Sequence, residues 1–416
     1  MEAAEKKETL GQAILNLFKN KNFILMMLIS ALNTGGQVFV KTPTNLFGKS
    51  LGMTPPVLGA ITGTYYLICL IFRPTTGPLI DKFNKKAVLS FCLLVRVLSY
   101  MLFAFAGTPG MFTAARYIDA VSFCLCTTCF LAVTTTLIDK KAMGTGIAVY
   151  SAFPSLVTMI MPSISMFIYN TMGARPVFII GTALIAAAIA LIQFLDFKRT
   201  VSGARNPLQK KFRLSDVFYA PVVPVCLLTF FLALLLTVND TYLLLMATER
   251  GIVGAELFFS IQAAIKFIAS FAGGIGSDTL GVKKVLVVSC IFSIIASLLI
   301  GVTTNLPLII IAAVLYCLGQ KGSAPVITKA CALLAPPEKR GAAISTNYFI
   351  MDLAGVFAGY LAAFCYARFG YTGMYIVIAM FPLAGLIILL ATYKSTFGKM
   401  EAREAELAAA KAAKKD

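Results

Sequence analysis

Ionisable side chains embedded in apolar runs carry whatever chemistry this sequence performs. The basic ones are Lys41, Arg73, Arg96, Lys266, Lys321 and Lys329; the acidic ones are Asp119, Asp240 and Asp352. A charge held in hydrocarbon is costly, so such residues mark ligand or ion pathways, or they pair with one another. Arg73 and Lys329 fall toward the ends of their runs, where a long side chain reaches the interface and a structural role suits it. Lys266 lies about eleven residues into its run, roughly 16 Å deep, and Lys321 and Asp352 come out similarly central. Gln262 stands one turn before Lys266 on the same face. Gln262, Lys266 and Lys321 are therefore candidates for holding an anion by charge-assisted hydrogen bonds. Asp352 is their expected counter-ion or a proton carrier. The alternative is a closed structural ion pair.

Spacing adds a second group. Asn33, Gln37, Lys41 and Thr44 are separated by four, four and three residues, which puts them on one helical face. A polar stripe on an apolar helix should face a cavity; polar contact between helices is the alternative. Asn33, Gln37 and Lys41 join the substrate-binding candidates. Thr237, Asp240 and Thr241 share a face in the same way. Arg116 and Asp119 lie one turn apart and can pair, and Asp119 is also a candidate partner for Arg96. Asp119, Asp240 and Asp352 are the candidate proton-coupling or counter-ion groups.

Several chemistries are excluded. There is no histidine, so His-based acid–base catalysis and His metal sites are absent. The ten cysteines fall in apolar runs, and the Cys126/Cys129 pair has no second pair to complete a metal site; they read as small apolar filler. No Gly-rich nucleotide loop and no nucleophile–base constellation is present, so the chain is not read as an enzyme and no cofactor is expected. The first apolar run follows Lys19 and Lys21 and lacks a small-residue cleavage site, unlike a cleaved signal peptide.

The elements that must position these groups are membrane spans. The chain has 416 residues, of which 59% are hydrophobic and 13% charged, against about 25% charged in soluble domains. A span needs about twenty mostly apolar residues. About twelve such runs follow one another, beginning near Phe23, Val57, Ala87, Met111, Gly144, Val177, Tyr219, Ala255, Val285, Leu308, Gly341 and Met374. Gly107-Thr-Pro-Gly110, Gly173, Asn305-Leu-Pro307, Pro336-Pro337 and Gly370 punctuate them. The formal charge of +18 reflects Lys and Arg parked at helix ends, not a nucleic-acid surface. Most of the basic residues fall on alternate connections, with Lys49, Arg116, Arg175, Arg250 and Arg368 on the others. By the positive-inside rule both termini are cytoplasmic. The expected layout is a cytoplasmic segment 1–21, a six-helix bundle 22–197, a basic linker 198–217, a second six-helix bundle 218–395 and a tail 396–416 that forms a short solvated helix.

An internal repeat ties the two halves together. Gly77-Pro-Leu-Ile-Asp81 leads through Lys82 and Asn84 to Lys85-Lys86, and Gly274-Ile-Gly-Ser-Asp278 leads through Gly281 to Lys283-Lys284. Both are Gly-x-x-x-Asp, a turn and a Lys-Lys pair on a short loop, six spans apart. They read as a conformational latch. The glycine permits close helix approach, the aspartate caps the next helix or pairs with a base, and the lysines hold the loop in the cytoplasm. Asn84 stands where the second copy has Gly281, a substitution compatible with a left-handed backbone.

At these residues the chain resembles the major facilitator superfamily over essentially its whole length. Arg116 opens the fourth span and Arg340-Gly341 the eleventh, as in that family. Arg73-Pro74 and Asp352 look like a bacterial efflux branch that includes drug and metallophore exporters. The fifth-span antiporter signature keeps Pro154 and Pro162, but Met161 and Ser165 replace glycines. The resemblance implies an all-α fold of 12 transmembrane helices in two pseudo-symmetric bundles around a central cavity. It also implies alternating access, as a monomer in a bacterial cytoplasmic membrane. With surplus positive charge inside, the expected substrate is a small or amphipathic organic anion such as a carboxylate, coupled to protons or exchange. Proton-driven efflux of hydrophobic compounds is the competing expectation. No nucleic-acid partner is expected.

Overall fold

The computed structural model describes residues 19–76, 83–135, 137–138, 143–196, 218–336 and 339–412. Helices make up the ordered elements. In chain order they are α1 (Lys21–Ser50), α2 (Pro55–Phe72), α3 (Lys85–Ala104), α4 (Pro109–Thr135), α5 (Met143–Met172) and α6 (Ala174–Gln193). The second group is α7 (Val223–Glu249), α8 (Leu257–Thr279), α9 (Val282–Val302), α10 (Leu306–Leu334) and α11 (Arg340–Thr392), followed by α12 (Phe397–Ala412).

Local chemistry sets several boundaries. Asn20 caps α1, its side chain accepting from the backbone N–H of Asn22 and Phe23, and Asn305 caps α10 by accepting from Leu308 N–H. Asn84 caps α3 from an extended backbone (φ −60°, ψ 129°) and accepts from Lys86 N–H. The left-handed conformation expected at Asn84 is therefore absent: its side-chain oxygen is used as a helix cap, for which an extended backbone is the normal geometry. Gly281, at the corresponding point of the second loop, does take a positive φ of 90°, which glycine alone adopts at no cost.

Ten helices among the described residues are long and apolar enough to cross a membrane, and α8 makes an eleventh if its two bent parts count as one span. α8 bends by 45° between Leu257–Lys266 and Ile268–Ser277. α11 is 53 residues long, about 80 Å at 1.5 Å per residue, against a hydrocarbon core of about 30 Å. It breaks at Gly370 (φ 63°, ψ −167°) into arms 340–369 and 371–392. The runs expected near Gly341 and Met374 are thus the two arms, separated by the non-helical backbone of Gly370.

Helices α1–α6 pack among themselves, chiefly as α3–α4, α1–α5, α3–α6 and α1–α6. The second group packs as α7–α11, α8–α10, α9–α10 and α9–α11. The groups meet mainly along α2–α11 and α5–α8. Large apolar side chains such as Leu98, Phe167 and Phe364 lie on the outside, each more than half exposed. That surface suits lipid, where backbone polar groups are satisfied inside the helices. The tail is not fully solvated as expected: Phe397 and Met400 are buried in a core cluster of the second group, and Glu404 pairs with Lys329 at 2.8 Å.

Candidate functional site

A cavity of about 610 Å³ lies between the two helix groups. From α1 it is lined by Asn33, Gln37 and Lys41, whose spacing of four keeps them on one face. Thr44 is buried outside it, its hydroxyl donating to Val40 O of its own helix, so the stripe is one residue shorter than expected. From α8 come Gln262 and Lys266, from α10 Lys321, and from α7 Asp240. All six substrate-binding candidates thus face one space.

Charge in this space is unevenly paired. Lys41 Nζ lies 2.5 Å from Asp240 Oδ2, a bridge between the two helix groups. Asn45 reinforces it by donating to the carbonyls of Asp240 and Thr241, at 3.1 and 3.2 Å. Lys266 and Lys321 have no carboxylate within 4.0 Å among the described residues, where the ion pairs engage other cations. They share a wall because α8 and α10 cross tightly. A Cβ added at Gly273 would meet Gly322 Cα at 2.8 Å. Lys266 sits at the bend of α8, and the Phe123, Phe130 and Phe259 rings line the rest of the space.

Arg96 is fully buried yet borders the cavity. Its Nη1 donates to Asn33 Oδ1 at 2.5 Å, and its Nε lies 4.0 Å from Asp119 Oδ1. Arg116 Nη1 approaches Asp119 Oδ2 at 3.8 Å and its guanidinium lies over the Tyr65 ring at 4.6 Å. Asp119 is therefore shared between two guanidiniums and does not line the cavity.

Asp352 requires a correction. It was expected beside Lys266 and Lys321, but it is bound to Arg73 Nε at 2.5 Å. The cause is helix rotation: α11 packs on α2, so the Asp352 face meets the end of α2 and not the cavity. The pair is almost fully buried, at 11% and 1% side-chain exposure. Removing one partner of a buried pair costs about 3–5 kcal/mol. Asp352→Ala should lower thermal stability in detergent by that order, and a second change, Arg73→Leu, should restore much of it. Equal stability of Asp352→Ala and the native chain in a thermal melt would contradict this assignment.

In the first latch loop, Gly77 and Asp81 lie outside the described residues. Lys85 and Lys86 begin α3, and Lys86 Nζ donates to Gln193 O at 3.1 Å. In the second loop a Cβ at Gly274 would meet open space. The close approach belongs to Gly273 one position earlier, a register that composition does not reveal. The Asp278 side chain lies outside the described residues. Lys283 Nζ sits 5.6 Å from the Tyr393 ring centroid, and Lys284 is exposed.

A further seam between the helix groups is built from glycines. α2 carries Gly59-x-x-x-Gly63 and α11 carries Gly355-x-x-x-Gly359. The helices cross at Gly59, Gly63 and Gly359: a Cβ at Gly359 would meet Gly63 Cα at 2.5 Å and Gly59 O at 2.8 Å, whereas Gly355 packs on the Tyr66 ring. Small residues at this spacing let two membrane helices touch backbone to backbone. At the same end, Lys49 of α1 pairs with Glu249 of α7 at 2.6 Å, and Ser163 of α5 meets Ser260 of α8 at 3.3 Å.

Comparison with known proteins bears on this arrangement. The profile of the Major Facilitator Superfamily matches residues 23–256 and again 225–415. The staphylopine export protein of Staphylococcus aureus (strain Mu50 / ATCC 700699) is 23% identical over 388 residues, covering 88% of this chain and 94% of that protein. The class H tetracycline resistance protein of Pasteurella multocida is 31% identical over 107 residues, a quarter of each chain. Among solved structures, the nucleoside transporter NupG superposes with a TM-score of 0.73 at 14% identity, over 90% of this chain and 99% of that one. A bacterial homolog of the human lysosomal transporter Spinster, inward-facing and occupied, gives 0.71 at 13% identity, over 91% and 97%. At these identities the structural matches speak for the fold alone.

Proposed function

The chain belongs to the Major Facilitator Superfamily, and from that premise we propose that it is a secondary active transporter exporting a small or amphipathic organic anion, a carboxylate, across a bacterial cytoplasmic membrane. It is a multi-pass transporter and not an enzyme. The observation that carries the substrate class is the charge of the cavity: Lys41, Arg96, Lys266 and Lys321 face it against the single carboxylate of Asp240 among the described residues. A cationic ligand would meet net repulsion there, whereas a carboxylate between Lys266 and Lys321 gains charge-assisted hydrogen bonds. The phenylalanine rings suit an apolar body attached to that carboxylate.

Counting α8 as one span and the arms of α11 as two gives twelve spans. Residues 22–197 and 218–395 form two bundles joined by the linker 198–217, with both termini cytoplasmic. The alternation of basic connections supports that orientation. The contacts at Gly59–Gly359, Lys49–Glu249 and Ser163–Ser260 then close the outer end of the cavity, and the bundles rock about it. Gly77, Asp81, Lys85 and Lys86, with Asp278, Lys283 and Lys284, act as latches on the cytoplasmic side, and Gly273 takes the close-approach role expected of Gly274. Export as the direction draws on the staphylopine export relative. Coupling runs through protons or exchange, with Asp240 as the carboxylate placed to respond to substrate. The transporter works as a monomer.

A second reading, proton-driven efflux of hydrophobic compounds, is favoured by Asp240 and the aromatic lining of the cavity. Uptake into proteoliposomes separates the two. Labelled organic carboxylates should accumulate faster than in protein-free vesicles and lipophilic cations should not. The opposite pattern would sink the anion reading.

A further inference from the structure

Arg96 is the buried cavity charge that has no ligand contact assigned to it above. Of its five N–H donors, Nη1 is engaged by Asn33. Nε and Nη2 have no hydrogen-bond partner among the described residues, and neither has Asp119 Oδ1. The 4.0 Å between Nε and that oxygen is beyond hydrogen-bond range. Asp119 is also shared with Arg116, so two guanidiniums face one carboxylate and one positive charge is left over. Leaving charged donors unmet in a fully buried position is expensive, and a structural partner for Asp119 would be built to close that gap.

We propose that Arg96 is a second anion-recognising group, so that the substrate carries two carboxylates, one for each wall of the cavity; this rests on the anion reading above. Lys266 and Lys321 on α8 and α10 hold the first carboxylate. Arg96 on α3 holds the second, behind Asn33 on α1. The Asn33 amide oxygen already occupies the place of an acceptor on Nη1, and rotation of that side chain admits a carboxylate oxygen instead. A guanidinium fork matches a carboxylate in two parallel hydrogen bonds. Because Arg96 is already stripped of water, binding adds no further desolvation of the protein cation. The other cation on the α1 side, Lys41, is committed to Asp240, which leaves Arg96 as the donor for the second group.

The test measures affinity on the purified full-length protein, using linear α,ω-dicarboxylates of four to eight carbons and monocarboxylates of matched length. The best dicarboxylate should bind at least about tenfold more tightly than its monocarboxylate, the worth of one added charge-assisted contact. Arg96→Gln should bring that ratio close to one. Asn33→Ala, which frees Nη1 and leaves Arg96 in place, should raise the ratio and serves as the test if Arg96→Gln does not fold. A native ratio near one overturns the proposal, as does a ratio unchanged in a folded Arg96→Gln or, failing that, in Asn33→Ala. Monocarboxylate binding that needs Lys266 and Lys321 but shows no preference for a second carboxylate would defeat this inference and leave the anion reading standing. Failure of every carboxylate to bind would defeat both.

Discussion

Replacing Lys266 and Lys321 together by methionine is expected to lower transport of organic carboxylates by about a hundredfold or more. Two hydrogen bonds to a charged group contribute about 1.5–3 kcal/mol each, and each 1.4 kcal/mol is a factor of ten. Methionine keeps the length and apolar stem of lysine, so the cavity keeps its shape and the change is one of charge. Neither lysine forms an ion pair among the described residues, so no stranded partner should unfold the protein. Thermal stability of the empty variant should therefore stay near that of the native chain, or exceed it. Loss of transport with stability retained is the pattern that identifies ligand contacts. Initial uptake rates in proteoliposomes give the first quantity and a detergent melt the second.

Gly359→Leu is expected to abolish alternation between cavity states. The atoms nearest a Cβ at 359 are backbone, among them Gly63 Cα and Gly59 O, and no rotamer change can clear them. The α2–α11 crossing must open, at an overpacking cost of about 1–3 kcal/mol or more. The conformer in which that crossing is made then loses population, about tenfold for each 1.4 kcal/mol. Labels at Ser50→Cys and Val253→Cys, near the ends of α1 and α7, would report the change as a longer distance by electron–electron resonance. The chain's own cysteines are buried, which limits background labelling. An unchanged distance distribution with native transport would show that the crossing is not part of the moving seam.

Much of the site's composition was legible because helical periodicity is local. Asn33, Gln37 and Lys41 share a face by their spacing alone, and Gln262 and Lys266 likewise. The structure brings all five, with Lys321, to one cavity. Pairings between the groups were not legible. Lys41 and Asp240 are 199 residues apart and Arg73 and Asp352 are 279 apart. Which acid meets which base depends on how each helix is rotated about its axis, and that is decided by packing and not by spacing. The same limit explains Asp352, central in depth yet turned toward α2. At Asn84 two chemistries compete: a side chain that tolerates a left-handed backbone is also a good helix cap, and the cap prevails. The glycine pairs of α2 and α11 were readable as small residues four apart, but only their juxtaposition gives them meaning. The break in α11 shows the reverse case, since Gly370 is legible as a turn between two apolar runs and the helix does break there.

The central claim is that this cavity takes an anion, and ligand-induced stabilisation of the purified protein tests it most directly. A ligand that binds only the folded form raises the melting temperature. Across matched sets of organic carboxylates and lipophilic cations, carboxylates should raise the Tm of the native chain, and that rise should vanish in the Lys266→Met/Lys321→Met variant. Stabilisation by cations instead, undiminished in the lysine variant and lost in Asp240→Asn, would contradict it.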